Sequence, residues 1–456
     1  MRISSLSFYE IGPFNDAALH FPTAPSGSGG ELILLEGPNG CGKTTIAQAI
    51  AWAATILAQA AHQNFARNHG VQGPAFSPEF QQRHRVSDSR AIITLEHGEA
   101  SLSVDTKNLV GNLGSVDPSL MTWLASAGGN PLKNVLWATH YFQANKRTPN
   151  IASDGPRSLA MPIYHNTLPL EIAESETPLG QVLVNFDYER MRASHYSREK
   201  NRGEEERKRL QRTEQLYDAA INRLTNALSV VLDRKVEVKF EPGRPTPAFL
   251  FDQEEIPFNL LGEGLRSTLA WLSNLIIRLE QTPWARIEVT PFEQEFWLVL
   301  DEVDVYLHPQ MQRKLLPTLR SLFPNAHIYA TTHSPFTVAA VGEGHVFSIS
   351  PDPKTHRISG LVEATPITPG KSLEWVIEEI FRTPSLFLNQ NTCDDLDAHD
   401  RVVQALRKGD SVDWVSFLSL RHRLMSLGAE VQGVVTMREV PVRRTIDQAQ
   451  KDQAEA

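Results

Sequence analysis

The chain has 456 residues, of which 41% are hydrophobic and 21% charged, enough for a sizeable core and too apolar for wholesale disorder. Lysine and arginine number 44 against 53 aspartates and glutamates; the formal charge of -9 excludes a general polybasic coat for nucleic acid, though not a local basic groove. Two cysteines, Cys41 and Cys393, exclude a disulfide framework, and no apolar stretch reads as a signal or a membrane span, so the expected compartment is the cytoplasm.

The first 22 residues alternate apolar and polar positions (Ile3, Leu6, Phe8, then Ala18, Leu19, Phe21) about a turn at Gly12–Asp16, which predicts a β-hairpin. Leu32–Leu35 is a continuous apolar run, the pattern of a strand covered on both faces. A glycine-rich loop and an alanine-rich helical run follow. Residues 61–88 are polar and read as a long loop. Residues 90–105 alternate again around His97-Gly98-Glu99-Ala100, a second hairpin, and Pro118–Ala127 reads as a short helix stopped by Gly128 and Gly129.

From Asn185 to Lys235 the chain is helical and charged, with twelve Lys/Arg and nine Asp/Glu. Leu210, Leu216, Tyr217, Ala220, Ile221, Leu224, Ala227 and Leu228 fall at helical spacing, and Gly203 divides the run in two. This reads as a solvated antiparallel helical arm. The alternative is a contact with nucleic acid or a partner through Arg198, Lys200, Arg202, Arg207, Lys208, Arg209 and Arg212. Phe296–Leu300 and His327–Thr331 are two further buried strands. Beyond Ser350 the pattern is a short hairpin, then helices to about Leu427, and a polar, disordered tail from Asp447.

Gly37, Pro38, Asn39, Gly40, Cys41, Gly42, Lys43 and Thr44 fit G-x-x-x-x-G-K-[ST] between a strand and a helix, the context that makes this a phosphate loop. Glycines let backbone N–H groups curl around phosphates, and the helix N-terminus adds a favourable dipole. Lys43 is placed to bridge the β- and γ-phosphates of ATP, Thr44 to hold Mg²⁺ through its hydroxyl, and Thr45 to continue the binding turn. Cys41 reads as a small filler. The strand Phe296–Leu300 ends in Asp301 and Glu302: the first is placed to hold the Mg²⁺ shell, the second to activate the attacking water.

Three further segments carry a resemblance. Asn259–Leu272 holds Gly262, Glu263 and Gly264 at a helix start. Thr331-Thr332-His333-Ser334-Pro335 follows a buried strand, with His333 lying 32 positions after Asp301. Asp301-Glu302-Val303-Asp304-Val305-Tyr306-Leu307-His308-Pro309 links the two. Together with the phosphate loop, whose Lys43 lies 258 positions before Asp301, these resemble the SMC/RecF/OLD branch of ABC-type ATPases. Gly262 stands where that family usually has Ser, and Leu265 where it has Gln or Glu.

The resemblance implies an α/β fold, a P-loop NTPase of the ABC-ATPase head type with an N-terminal antiparallel β subdomain and an inserted helical arm. The implied divisions are an N-terminal lobe over 1–150, the arm over 151–250, a C-terminal lobe over 251–350 and a helical region with a polar tail over 351–456. It implies that Gly262, Glu263 and Gly264 bind the γ-phosphate held by a second copy, and that Asp304 lies at that interface. It further implies that His333 senses the γ-phosphate or the water, and that Gln143, in Tyr141–Arg147, is a Q-loop ligand of Mg²⁺. His308 and Pro309 are expected to shape the next helix.

ATP sandwiched between two heads then makes the chain a homodimer or higher oligomer. Short-arm members of this branch occur in Septu-like and OLD-like anti-phage defence systems, where the ATPase senses or gates and an effector such as a nuclease acts. A TOPRIM nuclease within this chain is not expected: Asp395-Leu396-Asp397 has the spacing, but Asp394–Asp400 reads as a helix cap and solvated face. The expectation is an ATPase that gates a separate effector, without a membrane partner. The alternatives are a RecF-like ATPase that binds DNA directly and an ATP-gated scaffold with little turnover.

Overall fold

The structure is a computed structural model of the chain. It describes residues 1–22, 29–54, 83–97, 100–105, 137–142, 179–199, 201–241, 247–256, 260–282, 284–286, 288–381 and 389–455. Two compact units are present, Met1–Phe381 and Arg382–Ala456.

The first unit is organised around a six-stranded sheet of order β14-β12-β3-β11-β10-β6. Its strands are β3 (Leu32–Glu36), β6 (Ala138–Phe142), β10 (Phe296–Leu300), β11 (His327–Thr332), β12 (Gly344–Ser348) and β14 (Ala364–Ile367). All neighbours run parallel except β12 and β14. The apolar runs read from the sequence are explained by the layers on either side. Leu32 and Leu34 of β3, Phe296, Leu298 and Leu300 of β10, and Ile328 and Ala330 of β11 enter one core. The alternate residues Ile33, Leu35, Trp297, Val299 and Tyr329 enter another. A strand buried on both faces has no polar position to alternate with.

The second of these cores is closed by helix α1, described over 43–54, and by a five-stranded sheet of order β13-β2-β1-β4-β5. Its strands β1 (Arg2–Ile11) and β2 (Phe14–His20) form the first expected hairpin, and β4 (Arg90–His97) and β5 (Ala100–Asp105) the second. The other core is covered by α3 (Glu204–Leu232), α4 (Glu263–Gln281) and α5 (Pro309–Leu322), with Leu183 and Phe186 of a further helix entering it.

The arm is an antiparallel pair, α2 (Leu179–Ser197) and α3, with Gly203 capping the second helix. Phe186 packs on Tyr217, and Arg190 bridges Asp187 and Asp218 across the pair. The root of α3 is tied to its neighbours by ion pairs from Arg223 to Glu280 on α4 and from Asp233 to Lys314 on α5. Beyond α3 lies a small sheet the sequence reading omits, β7 (Val236–Lys239), β8 (Ala248–Phe251) and β9 (Glu254–Glu255).

The expected hairpin beyond Ser350 is corrected. The two strands there are consecutive but do not pair. β13 (Ile358–Val362) runs parallel to β2, whereas β14 runs antiparallel to β12. Glu363 alone separates them, too short a link for a hairpin, so each adds to a different sheet edge.

The second unit comprises α7 (Gln390–Lys408), α8 (Trp414–Met425), α9 (Ala429–Glu439) and α10 (Arg443–Glu455), α6 being the short Pro335–Ala339 turn of the first unit. Ile446 is fully buried with Val403, Phe417 and Val442, which explains why α10 forms where the sequence pattern reads as a polar tail. The cap of α7 is Asn389, which accepts from the Thr392 amide, so Asp394–Asp400 lies inside the helix and is not its cap. Asp395 pairs with Arg423. The expected helix at Pro118–Ala127 lies outside the described residues. No helix among the described residues is long and apolar enough to cross a membrane.

Candidate nucleotide site

Register aligns the functional ends of three strands. Glu36 of β3 pairs with Thr332 of β11, and Ala330 of β11 pairs with Leu300 of β10. Gly37, Asp301 and His333 therefore leave the sheet at the same carboxyl edge, where ligands of open parallel sheets bind.

The phosphate loop is shaped by its glycines. Gly37, Gly40 and Gly42 have φ of +152°, +80° and +96°. A Cβ at Gly37 would stand 2.3 Å from the Ile349 carbonyl oxygen, and one at Gly42 would stand 2.5 Å from Phe14 in the first hairpin turn. Only glycine meets both demands, positive φ and close approach. Pro38, Asn39 and Gly40 form the exposed tip, and nothing lies within 4 Å of a Cβ at Gly40. Lys43 Nζ, nearly buried, donates to the carbonyls of Gly37 (2.7 Å) and Pro38 (3.0 Å).

Cys41 is buried, and desolvation raises its thiol pKa above the ordinary value, as suits a filler. Thr44 is half-buried at the start of α1. Thr45 is fully buried and accepts a hydrogen bond from Arg83 Nη1 at 2.8 Å. Arg83 is a residue that sequence reasoning missed. It sits in a polar stretch where no pattern distinguishes one arginine from another, and the fold brings it to the phosphate loop. Arg85 and Arg357 hold the same hairpin turn through the carbonyls of Phe14 and Gly12.

Two threonines of β11 hydrogen-bond to the acidic loop. Thr331 Oγ1 donates to Asp301 Oδ1 at 2.7 Å and accepts from the Glu302 amide at 2.6 Å. Thr332 Oγ1 donates to Asp304 Oδ2 at 2.9 Å and accepts from the Ser334 amide at 3.0 Å. Asp301 and Asp304 are buried, and Glu302 adopts a φ of +48°, which costs about 1 kcal/mol or more outside glycine. Beyond this loop, His308 Nδ1 accepts from the Gln310 amide and Pro309 occupies the first turn of α5. Both shape that helix, as expected.

His333 is exposed at the rim of the edge. Desolvation of its inner side, then the Lys43 ammonium, hold its imidazole pKa below the ordinary histidine value, while Asp304, Glu302 and Asp301 oppose them. One side chain thus feels both the phosphate-loop lysine and the three carboxylates. Gly262 and Glu263 are exposed at the start of α4, whose first N–H groups have no side-chain cap, while Gly264 is buried against the Tyr306 backbone. Gln143 lies outside the described residues; it follows Phe142, whose carbonyl accepts from the Asp301 amide at 2.9 Å.

These residues suit a nucleoside triphosphate with Mg²⁺. The glycine cradle exposes backbone N–H groups, and Asp301 is a buried carboxylate at the loop's edge. Among the described residues no cluster of three or more His, Cys, Asp or Glu forms a protein-only metal cage. Mg²⁺ needs none, since it keeps several waters and takes one or two protein oxygens beside substrate phosphates.

A family model described as an AAA domain matches residues 5–235, and a second model, also described as an AAA domain, matches residues 158–339. The Septu protein PtuA of Bacillus thuringiensis is 31% identical over 128 residues, 28% of this chain and 31% of that protein. The Retron Ec83 probable ATPase of Escherichia coli is 26% identical over 121 residues, 26% of this chain and 21% of that protein. The chain thus spans a third or less of the length of the curated relatives it matches. A solved SMC head bound to the C-winged helix domain of ScpA shares 10% identity at a TM-score of 0.42, covering 81% of this chain and 98% of that one.

The fold assignment rests on the strand order and on the motifs at the sheet edge, which have the arrangement of a P-loop ABC-type ATPase head. With the first model spanning half of its length, the chain belongs to the family of AAA domains.

Proposed function

We propose that this chain is the ATP-hydrolysing subunit of an anti-phage defence complex, in which two heads close around ATP and their closure gates a separate effector such as a nuclease. The observation that carries the reading is the strand register that brings Lys43, Asp301, Glu302 and His333 to one carboxyl edge of the sheet. The partial likeness to PtuA and to the retron protein supports the defence setting.

In this reading the Gly37–Gly42 amides wrap the phosphates, and Lys43 leaves its carbonyl partners for the β- and γ-phosphate oxygens. Thr44, Asp301 and Gln143 would hold Mg²⁺, which would offset negative charge on the phosphate oxygens. Glu302 orients the attacking water and takes its proton. His333 accepts or donates at the γ-phosphate according to nucleotide state. Gly262, Glu263 and Gly264 present the uncapped start of α4 to the γ-phosphate of a second copy, with Asp304 beside that interface. The arm and its root on α4 and α5 carry the closure outward.

The test is steady-state ATP turnover with and without DNA. Glu302→Gln is expected to lower turnover by about 100-fold while ATP still binds. A wild-type rate in that variant overturns the role of Glu302. Turnover of the lone chain that depends on DNA and falls steeply with salt would favour a DNA-loading ATPase instead.

A further inference from the structure

We propose that Thr331 is a positioning residue for hydrolysis, whose single hydroxyl sets the direction of Glu302 and fixes one oxygen of Asp301. The proposal rests on the ATPase reading above and names a part of the site which that reading leaves unassigned.

Three observations carry it. The Thr331 hydroxyl, nearly fully buried, is used twice, donating to Asp301 Oδ1 at 2.7 Å and accepting from the Glu302 amide at 2.6 Å. Glu302 has a φ of +48°, a left-handed backbone that a non-glycine residue keeps only when its surroundings hold it there. The strand pairing already brings Thr331 level with this turn, because the Val303 amide donates to the Thr331 carbonyl at 3.0 Å. The hydroxyl is therefore not needed to dock the loop. What it adds is direction. It links the strained peptide that aims Glu302 to the carboxylate placed for Mg²⁺, so the water-activating group and the metal-holding group move as one. A residue that holds a reacting geometry in this way acts on the chemical step more than on binding.

The test compares Thr331→Val, which keeps the branched shape and loses the hydroxyl, with Thr331→Ser, which keeps the hydroxyl. Both are read by ATP turnover at saturating MgATP, by KM, by equilibrium binding of ATP, and by amide hydrogen exchange at Glu302. Thr331→Val is expected to lower kcat about tenfold or more, with KM and ATP affinity within about twofold of wild type. It is also expected to lose protection of the Glu302 amide. Thr331→Ser is expected to keep turnover within about twofold of wild type and to retain protection.

Wild-type kcat in Thr331→Val overturns the proposal. So does an equal loss in the serine variant, which would make the role one of packing, or a loss of ATP affinity in step with turnover. Absence of turnover in the wild-type chain contradicts the ATPase reading instead. Hydrogen exchange then decides the tie by itself: unchanged protection of Glu302 in Thr331→Val overturns it.

Discussion

Gly264 lies against the backbone of Tyr306 so closely that a Cβ at 264 would stand 2.2 Å from the Tyr306 carbonyl oxygen. Tyr306 has a φ of +62° and a side chain exposed to solvent, so its backbone serves the contact. The start of α4 thereby lies against the 304–307 turn, which Asp304 and Thr332 tie to the end of β11, just before His333.

This contact separates two neighbouring glycines. Gly264→Ala must displace backbone, and is expected to destabilise the first unit by about 1–3 kcal/mol and to impair turnover. Gly262→Ala meets nothing within 4 Å and is expected to leave the melting temperature within about 2 °C of wild type. Thermal melts of the two variants check the contrast.

Lys43→Ala is expected to abolish nucleotide binding, because the lysine is the cation among the loop's phosphate ligands. Titration with a fluorescent ATP analogue measures it. Lys43 Nζ donates to loop carbonyls, not to a carboxylate. The fold is therefore expected to tolerate the loss, with a melting temperature near that of the wild-type chain in the absence of nucleotide.

Acid should weaken the fold through His140. The ring is buried against Phe296, and desolvation, then Arg278, lower its pKa to about 3. The unfolded chain binds that proton near pH 6.5. Stability from the neutral ring is therefore complete above that value and is lost as pH falls from about 6.5 toward about 3. His140→Phe is expected to flatten this part of the profile, measured by denaturant unfolding at stepped pH. His333, also held below the ordinary histidine value, adds to the loss just under pH 6.5.

Much of the architecture was legible because the chemistry sits on strands buried on both faces. Leu32–Leu35 and Phe296–Leu300 announce themselves as uninterrupted apolar runs, Ile328–Ala330 as a shorter one, and each motif begins close to where its run ends. Long-range pairing was not legible. Ile358–Val362 and Ala364–Ile367 look like two arms of a hairpin, and nothing local shows that their partners are β2 and β12. The strand Val236–Lys239 is half charged, so its pairing with Phe249 and Phe251 is hidden. Arg83 reaches Thr45 only through the fold, and the left-handed backbone at Glu302 and Tyr306 has no signature in non-glycine residues.

The arm's root offers a stability test. The Glu280 carboxyl is buried beside Arg223, and desolvation raises its pKa against the pull of that guanidinium. Arg223→Ala leaves the carboxylate without its partner at the junction of α3 and α4, and should cost about 2 kcal/mol, discounted because the arginine is itself partly exposed. Adding Glu280→Leu should recover part of that loss. Denaturant melts of the single and double variants give the coupling.

Closure of two heads around ATP is tested most directly by the mass of Glu302→Gln in solution with MgATP, by sedimentation or light scattering. The account predicts a dimer that forms only with ATP, is absent in ADP, and disappears when Lys43→Ala is added. A Glu302→Gln chain that is saturated with ATP and still sediments as a monomer at every concentration would contradict it.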